Sequence, residues 1–229
     1  MRGKLLDSDS NTSKTITLCE CEAMNFASKF QLPVLKCCLA TTREEVKAKC
    51  EEIGFPVVIK IFSPQILHKT DVEGVKLNIQ NSVEAEKAFD EIVKNVKSQY
   101  PQAEIKGVAI YPQVKKGFEL IIGGLNDENF GPTVMVGVGG IFTELFKDVS
   151  FRIAPVSTID AEEMLRELKV YPLFEGYRGK SLDKNAVIQI ILNTSKMMME
   201  TSVYQVDFNP VIVYEKGAVI VDAKILLRL

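Results

Sequence analysis

Histidine is almost absent from this sequence: its 229 residues contain one, His68, within the stretch FSPQILHKTDVEGVKL. Cysteine is present five times, at positions 19, 21, 37, 38 and 50, an odd number that includes a vicinal pair. Such a set is a poor disulfide framework. The C-x-C and C-C spacings also miss the C-x₂-C pattern of zinc sites. We therefore expect free, buried thiols and no zinc centre.

Strong net charge and long apolar runs are also missing. The formal net charge is −2 and the pI is about 5.7, so we expect no binding to nucleic acid or to an anionic membrane on electrostatic grounds. No apolar stretch reaches the roughly 20 residues that span a bilayer. Residues 1–18 lack the sustained apolar region of a signal peptide. We expect a cytoplasmic protein without a membrane-spanning segment.

The two common glycine-rich nucleotide motifs do not occur. There is no G-x-x-x-x-G-K-[ST] sequence, which argues against a P-loop NTPase. Glycines 137, 139 and 140 allow a close backbone approach to a ligand, but their spacing is not G-x-G-x-x-G. A dinucleotide-binding fold is therefore only weakly supported.

Strand-like and helix-like segments alternate along the chain without a simple βαβ repeat, which favours α+β lobes. Residues 1–15 are polar and predict a loose leader, followed by lobes at 16–107 and 108–229. The segments 107–114 and 118–125 resemble a hairpin pair. Helices are predicted from periodicity and capping residues at 17–30, 41–54, 81–100, 157–170 and 183–201.

Lys60 ends the apolar run VVIK. Burying an ammonium without a partner is costly, so a lysine in this position needs an anion, and a phosphate is one natural choice. The alternative is a lysine that extends from the end of a strand into solvent. The residue type alone leaves both interpretations open.

Three side chains with oxygen atoms lie on two strand-like segments near the C-terminus. Asp207 and Asn209 in VDFNPVIV stand two apart, which places them on one side of a strand. Asp222 follows in VIVDAK, among apolar neighbours. The set suits a hard cation, and Mg²⁺ characteristically takes one or two carboxylates plus substrate phosphates. Alternatively, Asp207 and Asn209 cap a turn before Pro210.

Two further charged residues are candidates for binding. Arg152 lies between Phe151 and Ile153 and, like Lys60, needs an anion. Glu119 follows a glycine turn in KKGFELIIGG. Its carboxylate could accept a hydrogen bond from a ribose hydroxyl, or it could be a solvated strand residue.

Taken in order, the motifs LHKTDVEGV, KGFELIIGG, GGIFTELFKDVSFRIAP and DFNP resemble those of ATP-grasp proteins. More narrowly, the chain is similar to the β subunits of archaeal ADP-forming (NDP-forming) acetyl-CoA synthetases, in the acyl-CoA synthetase superfamily. The resemblance covers residues 16–229. It implies two α+β lobes that grip a nucleotide, ADP or ATP, with Mg²⁺ as the metal.

The resemblance implies a nucleotide-binding role for several candidates. Lys60 would contact the phosphates, with a further contribution from Arg152, and Glu119 would contact the ribose. The backbone around Gln113 and Val114 would form the hinge between the lobes and hold the adenine.

The resemblance also implies the metal and phosphate-transfer residues. Asn209 and Asp222 match the magnesium ligands, and Asp207 matches the acidic residue that faces the phosphohistidine of the partner subunit. His68 would relay phosphate to ADP, since a neutral imidazole nitrogen is a competent nucleophile. The loop of about a dozen residues around His68 is long enough to move.

The implied reaction is acyl-CoA + ADP + phosphate ⇌ acid + CoA + ATP. No CoA-binding domain is recognisable, so the CoA site would lie on a separate α subunit, which carries the other phosphohistidine, within an α₂β₂ heterotetramer. Two rival hypotheses are a self-sufficient ATP-grasp ligase that joins a carboxylate to an amine, and a non-catalytic nucleotide-binding subunit.

Overall fold

A computed structural model describes residues 15–66, 69–140, 148–179 and 181–228. These residues form two antiparallel sheets with helices packed against them. The α-helices are α1 Glu20–Ser28, α2 Arg43–Ile53, α3 Ser82–Gln99, α4 Thr158–Glu167 and α5 Lys184–Met198, and 3₁₀ turns lie at Tyr171–Leu173 and Tyr177–Gly179. The strands are β1 Thr15–Thr17, β2 Cys38–Ala40, β3 Val57–Phe62, β4 Val75–Ile79, β5 Gly107–Pro112, β6 Phe118–Asp127, β7 Gly131–Val138, β8 Val149–Ile153, β9 Val203–Val213, β10 Ala218–Ile220 and β11 Ala223–Arg228.

The smaller lobe is a four-stranded sheet in the order β2-β5-β3-β4, with α2 and α3 packed against one face. Alternation along β3 explains its two faces. Val57, Ile59 and Ile61 are fully buried in the core beneath these helices, whereas Val58 packs into the core of the larger lobe. The same alternation puts Lys60 on the face that looks toward the larger lobe.

The larger lobe is a seven-stranded sheet in the order β1-β11-β9-β6-β7-β8, with β10 paired to β9. The apolar helix α5 packs against β6, β7 and β9, while α4 packs against β8 and α1 against β11. Capping side chains begin these helices: Ser157 and Asp160 form a capping box at α4, and Asp183 accepts from the Ala186 N–H at α5. Among the described residues, no helix is both long and apolar enough to cross a bilayer.

The structure confirms the helices predicted over 41–54, 81–100, 157–170 and 183–201, which begin at side-chain caps. The predicted helix at 17–30 begins later, at Glu20, because residues 15–17 pair with β11 as strand β1. Residues 1–14 of the predicted leader lie outside the described residues.

The predicted division of the lobes at 107/108 is wrong. Strand β5 lies between β2 and β3 inside the smaller sheet, and β1 and α1 belong to the larger lobe. The hairpin predicted from segments 107–114 and 118–125 is wrong for the same reason, since β5 and β6 lie in different sheets. Both faces of β5 are buried, at Val108, Ala109 and Ile110, as expected for a central strand. The closeness of β5 to β6 in the sequence gave no indication that β5 lies inside the smaller sheet.

The cysteines also differ from expectation. Cys21 and Cys37 form a disulfide with their Cα atoms 5.1 Å apart, while Cys19, Cys38 and Cys50 are free. The chain reverses after α1, which brings two cysteines that are 16 residues apart side by side. Spacing along the sequence did not reveal that reversal. Of the free thiols, Cys50 is buried, as expected.

Candidate functional site

Lys60 extends from β3 into the space between the two lobes. Its ammonium lies 3.5 Å from Oδ2 of Asp222 in the larger lobe and 4.7 Å from the ring centre of Tyr111 on β5. The side chain is 14% exposed, so the alternative of a solvated lysine at a strand end does not hold. A cation with an anionic and an aromatic partner in a partly buried cleft is well placed to bind an anion.

Asp207 and Asn209 lie on β9 of the larger sheet, and Asp222 lies in the two-residue link between β10 and β11. Ala223 pairs with Phe208, and the Val221 N–H donates to the Pro210 carbonyl, so Asp222 lies directly beside Asn209. Phe208 is fully buried, which places Asp207 and Asn209 on the opposite, outward face of β9.

The alternative of a turn cap before Pro210 is not supported, because Asp207 and Asn209 lie within β9 rather than at its end. Burial raises the pKa of the Asp207 carboxyl; nearby Lys224 opposes this rise and Asp222 adds to it. The Asp222 carboxylate and the Asn209 amide, side by side, fit the donor set of a Mg²⁺ site that is completed by phosphates and water. Within the described residues there is no group of three or more His, Cys, Asp or Glu side chains that could hold a metal.

Glu119 lies at an exposed position of β6, opposite Ile212. Its carbonyl accepts a hydrogen bond from the Gly139 N–H at 2.8 Å. Its carboxylate lies against Gly140, where an added Cβ would stand 2.9 Å from Oε2 and where φ is +68°. A Cβ on Gly139 would lie 2.9 Å from the backbone of Leu120. Gly139 is therefore required by its close approach to the backbone of β6, and Gly140 is favoured by its positive φ.

Gln113 and Val114 begin the segment that joins β5 of the smaller sheet to β6 of the larger one. Gln113 is held to the smaller lobe: its N–H donates to the Pro56 carbonyl at 2.9 Å, and its Oε1 accepts from the Asn78 N–H at 3.0 Å. Two residues on, the Lys115 carbonyl accepts from the Tyr214 hydroxyl of the larger lobe at 2.7 Å. The connection is thus anchored at both ends.

Arg152 already has anionic partners within its own lobe. Its guanidinium donates to both carboxylate oxygens of Glu167, at 2.6 and 3.2 Å, and lies 3.6 Å from Glu163. These carboxylates raise the pKa of Arg152. A contact between Arg152 and a phosphate, as predicted, would require it to exchange these partners.

An open groove of about 950 Å³ runs over the outward face of the larger sheet. Asp207 lies in its lining, together with Arg152. Most of the other lining side chains are apolar, and Phe130, Phe151 and Ile153 are more than half exposed.

Sequence reasoning missed a series of three contacting residues that begins at Tyr111, beside Lys60. The Tyr111 hydroxyl donates to Oε2 of Glu20 at 3.1 Å, and the other oxygen of Glu20 forms an ion pair with Lys69. Alternation along AIYP would have placed Tyr111 on the same face of β5 as Ala109, which pairs with Lys60 across the two strands. Nothing in the sequence indicated Glu20. His68, predicted to carry the phosphate, lies outside the described residues.

Comparisons with known proteins identify the family of this chain. Residues 10–227 match the family model of an ATP-grasp domain. The chain is 44% identical, over 92% of its length and 91% of the relative, to the acetate–CoA ligase (ADP-forming) I subunit beta of Pyrococcus furiosus. Among solved structures, it matches the dinucleotide forming acetyl-coenzyme A synthetase 1 of Ca. Korarchaeum cryptofilum with coenzyme A and Ca-AMPCP, at TM-score 0.88 and 48% identity over 93% of each chain. A second structure of that protein, with Mg-AMPPCP and its phosphohistidine segment pointing towards the nucleotide binding site, matches at TM-score 0.82 and 44% identity over 93% of each chain.

Proposed function

This chain belongs to the ATP-grasp family, in the branch of the β subunits of ADP-forming acetate–CoA ligases, and from this premise we propose that it binds the nucleotide in the reaction acyl-CoA + ADP + phosphate ⇌ acid + CoA + ATP. The observation that carries the proposal is the meeting of Lys60 from the smaller lobe with Asp222 from the larger one. The nucleotide phosphates would bind at this meeting point.

We assign the parts of the nucleotide to residues on both sides of the cleft. Lys60 binds the phosphates, and the face of Tyr111 supports its ammonium. Glu119 accepts a hydrogen bond from the ribose, and the backbone of Gln113 and Val114 holds the adenine. The anchored connection between the sheets supports this assignment, because a hinge must keep its backbone groups in place while the lobes move.

Asn209 and Asp222 are the residues that would hold Mg²⁺. When bound, Mg²⁺ supplies positive charge that stabilises the charge developing on the transferred phosphoryl group. Asp222 contacts Lys60 in the structure, so this ion pair would have to open for Lys60 to bind a phosphate and for Asp222 to hold the metal.

His68 carries the phosphate in our proposal. In the direction of acyl-CoA formation, an imidazole nitrogen of His68 attacks the γ-phosphorus of ATP. A P–N bond forms, the bond from the γ-phosphorus to the β,γ-bridging oxygen breaks, and ADP leaves. The imidazole then loses its proton to solvent. Asp207 accepts a hydrogen bond from the phosphohistidine brought by the partner subunit and orients its ring. The position of Asp207 in an open groove supports a role toward an incoming partner.

We further propose that the chain works in the cytoplasm with an α subunit that binds CoA, in an α₂β₂ heterotetramer. The name of the Pyrococcus relative, a subunit beta of matching length, supports a separate partner chain. Arg152 would join the nucleotide site only after releasing Glu167, and we give it a secondary role.

Labelling with [γ-³²P]ATP and Mg²⁺ tests the proposal on the full chain. We expect an acid-labile, alkali-stable phosphate on the wild-type chain and none on His68→Ala, with unchanged ADP affinity by calorimetry. Since His68 is the one histidine in the sequence, loss of label assigns the site directly.

The two rival functions predict other results. A carboxylate–amine ligase would turn over ATP with an acid and an amine, and His68→Ala would not affect it. A non-catalytic subunit would bind ADP but would give no phosphohistidine, either alone or with an α subunit, acetyl-CoA and phosphate.

A further inference from the structure

Tyr111 lies at the centre of a polar contact between the lobes that the proposed catalytic roles leave unexplained. Its ring supports Lys60, and its hydroxyl donates to Glu20, which begins α1 of the larger lobe. Glu20 in turn forms the ion pair with Lys69. One tyrosine thus connects the predicted phosphate-binding lysine with the residue that follows His68 in the sequence.

This contact is well shielded from water. Tyr111 is 2% exposed, and the side chains of Glu20 and Lys69 are 12% and 20% exposed. Burial, reinforced by the Glu20 and Asp222 carboxylates, raises the pKa of the Tyr111 hydroxyl, which therefore stays a proton donor. Removing one member of such a group leaves its partner buried and unpaired, which is costly. The group is therefore a firm connection between the lobes.

Lys69 is joined directly to residue 68. Consecutive Cα atoms are about 3.8 Å apart, so the contact between Glu20 and Lys69 fixes the chain one residue away from the proposed phosphate carrier. Transfer between two groups requires alignment, and a misplacement of about 1 Å can slow a reaction about a hundredfold. A carboxylate that holds Lys69 is therefore placed to influence the transfer through the chain, without touching the nucleotide.

We propose that Glu20 and Tyr111 are positioning residues for phosphoryl transfer. Glu20 holds Lys69 against the larger lobe, and Tyr111 fixes the Glu20 carboxylate while its ring supports Lys60. This inference rests on the proposed function, because it requires His68 to receive phosphate from ATP.

The test measures the single-turnover rate of labelling by [γ-³²P]ATP and Mg²⁺ at several ATP concentrations. The full chain is compared with its Glu20→Gln, Tyr111→Phe and Lys69→Met variants. We expect the maximal rate to fall at least about tenfold in each variant, while the half-saturating ATP concentration stays within about twofold, because Lys60 and the Tyr111 ring remain. Replacing a residue that only stabilises the fold would not lower the maximal rate while leaving the half-saturating ATP concentration unchanged.

Tyr171→Phe is the matched control. The Tyr171 hydroxyl also donates to a glutamate, Glu175, at 2.7 Å, but Tyr171 packs against the core of the larger lobe and its hydrogen bond does not join the two lobes. We expect this variant to label at the wild-type rate. Thermal unfolding of every variant shows whether the variant is folded. If Tyr111→Phe does not fold, the nearly isosteric Glu20→Gln still tests the inference.

The double variant Glu20→Gln/Lys69→Met tests the contact itself. If the two residues act as one unit, the double variant is no slower than the slower single variant. If the rate reductions of the two single variants multiply in the double variant, the inference is overturned. Labelling of all variants at the wild-type rate would overturn it while leaving the proposed function intact. If the wild-type chain is not labelled, both proposals fail.

Discussion

The ammonium of Lys60 lies 3.5 Å from the carboxylate of Asp222, across the boundary between the two lobes. Lys60 is carried by the smaller sheet, and Asp222 precedes β11 of the larger one. Neither side chain is fully solvated, at 14% and 27% exposure, so each needs its partner. The pair therefore joins the two lobes at the candidate nucleotide site.

Replacing Lys60 by methionine should weaken nucleotide binding. Methionine keeps most of the apolar length of the side chain but removes the charge, and a hydrogen bond to a charged group is worth about 1.5–3 kcal/mol. We expect the dissociation constant for ADP, measured by calorimetry, to rise roughly ten- to a hundredfold.

Lys76→Met is the control for this change. Lys76 lies on β4 of the same sheet and also pairs with a carboxylate, Glu91, at 2.9 Å. Equal ADP affinity of Lys60→Met and the wild-type chain would exclude Lys60 from the phosphate site.

Replacing Asp222 by asparagine should weaken the binding of Mg²⁺ at the nucleotide site. The substitution keeps the shape of the side chain but removes the carboxylate that a hard cation prefers. We expect a titration with Mg²⁺ at fixed ATP to shift to higher metal concentration, while affinity without Mg²⁺ changes little. Asp90→Asn, which removes a surface carboxylate 3.7 Å from Arg43, should titrate like the wild type. An unchanged titration of Asp222→Asn would remove Asp222 from the metal site.

The cleft was partly predictable because local rules place its charged residues. Alternation in an apolar strand put Lys60 opposite the buried face of β3, and the spacing of Asp207 and Asn209 put both on the outward face of β9. The pairing partners depend on long-range register, which the sequence does not reveal. Arg152 illustrates the limit: its need for an anion was evident, but the anions that contact it are Glu163 and Glu167, on a helix that begins five residues after β8.

Residues that were missed lie where distant parts of the chain meet. Glu20 and Tyr111 are 91 positions apart, and neither stands in a motif. The lobe boundary was misplaced for a related reason, since the order of strands in β2-β5-β3-β4 follows from tertiary pairing. Helices were better predicted, because caps such as Thr42 and Asn81 act within one turn.

The disulfide predicts a definite thiol count. Unfolded chain that has not been reduced should present three reactive thiols, from Cys19, Cys38 and Cys50, and five after reduction. In the folded chain Cys50 should react slowest, because burial raises its pKa to about 11 and blocks access. Reduction should lower the free energy of unfolding by about 3 kcal/mol, as a closed loop of this length implies. Five thiols before reduction would exclude the Cys21–Cys37 bond.

Asp183 should make part of the stability depend on pH. Its carboxylate accepts from the Gly217 N–H at 2.7 Å and the Ala186 N–H at 3.0 Å, joining the start of α5 to the turn between β9 and β10. These hydrogen bonds, chiefly that from Gly217, hold its pKa below the usual 3.8. As pH falls, the unfolded chain takes up this proton first, so the stabilisation is complete above the ordinary pKa and is lost below it.

Two substitutions separate the hydrogen bonds of Asp183 from its charge. At pH 7, Asp183→Ala should lower the free energy of unfolding by about 1–2 kcal/mol, and its difference from the wild type should shrink as the pH falls through about 4 to 3. Asp183→Asn keeps an acceptor oxygen and should lose less at pH 7. Urea unfolding at both ends of this range measures these differences. A constant gap between the wild type and Asp183→Ala from pH 7 to pH 3 would show that the charge of Asp183 contributes nothing, because only an ionised group can lose its stabilising effect by taking up a proton.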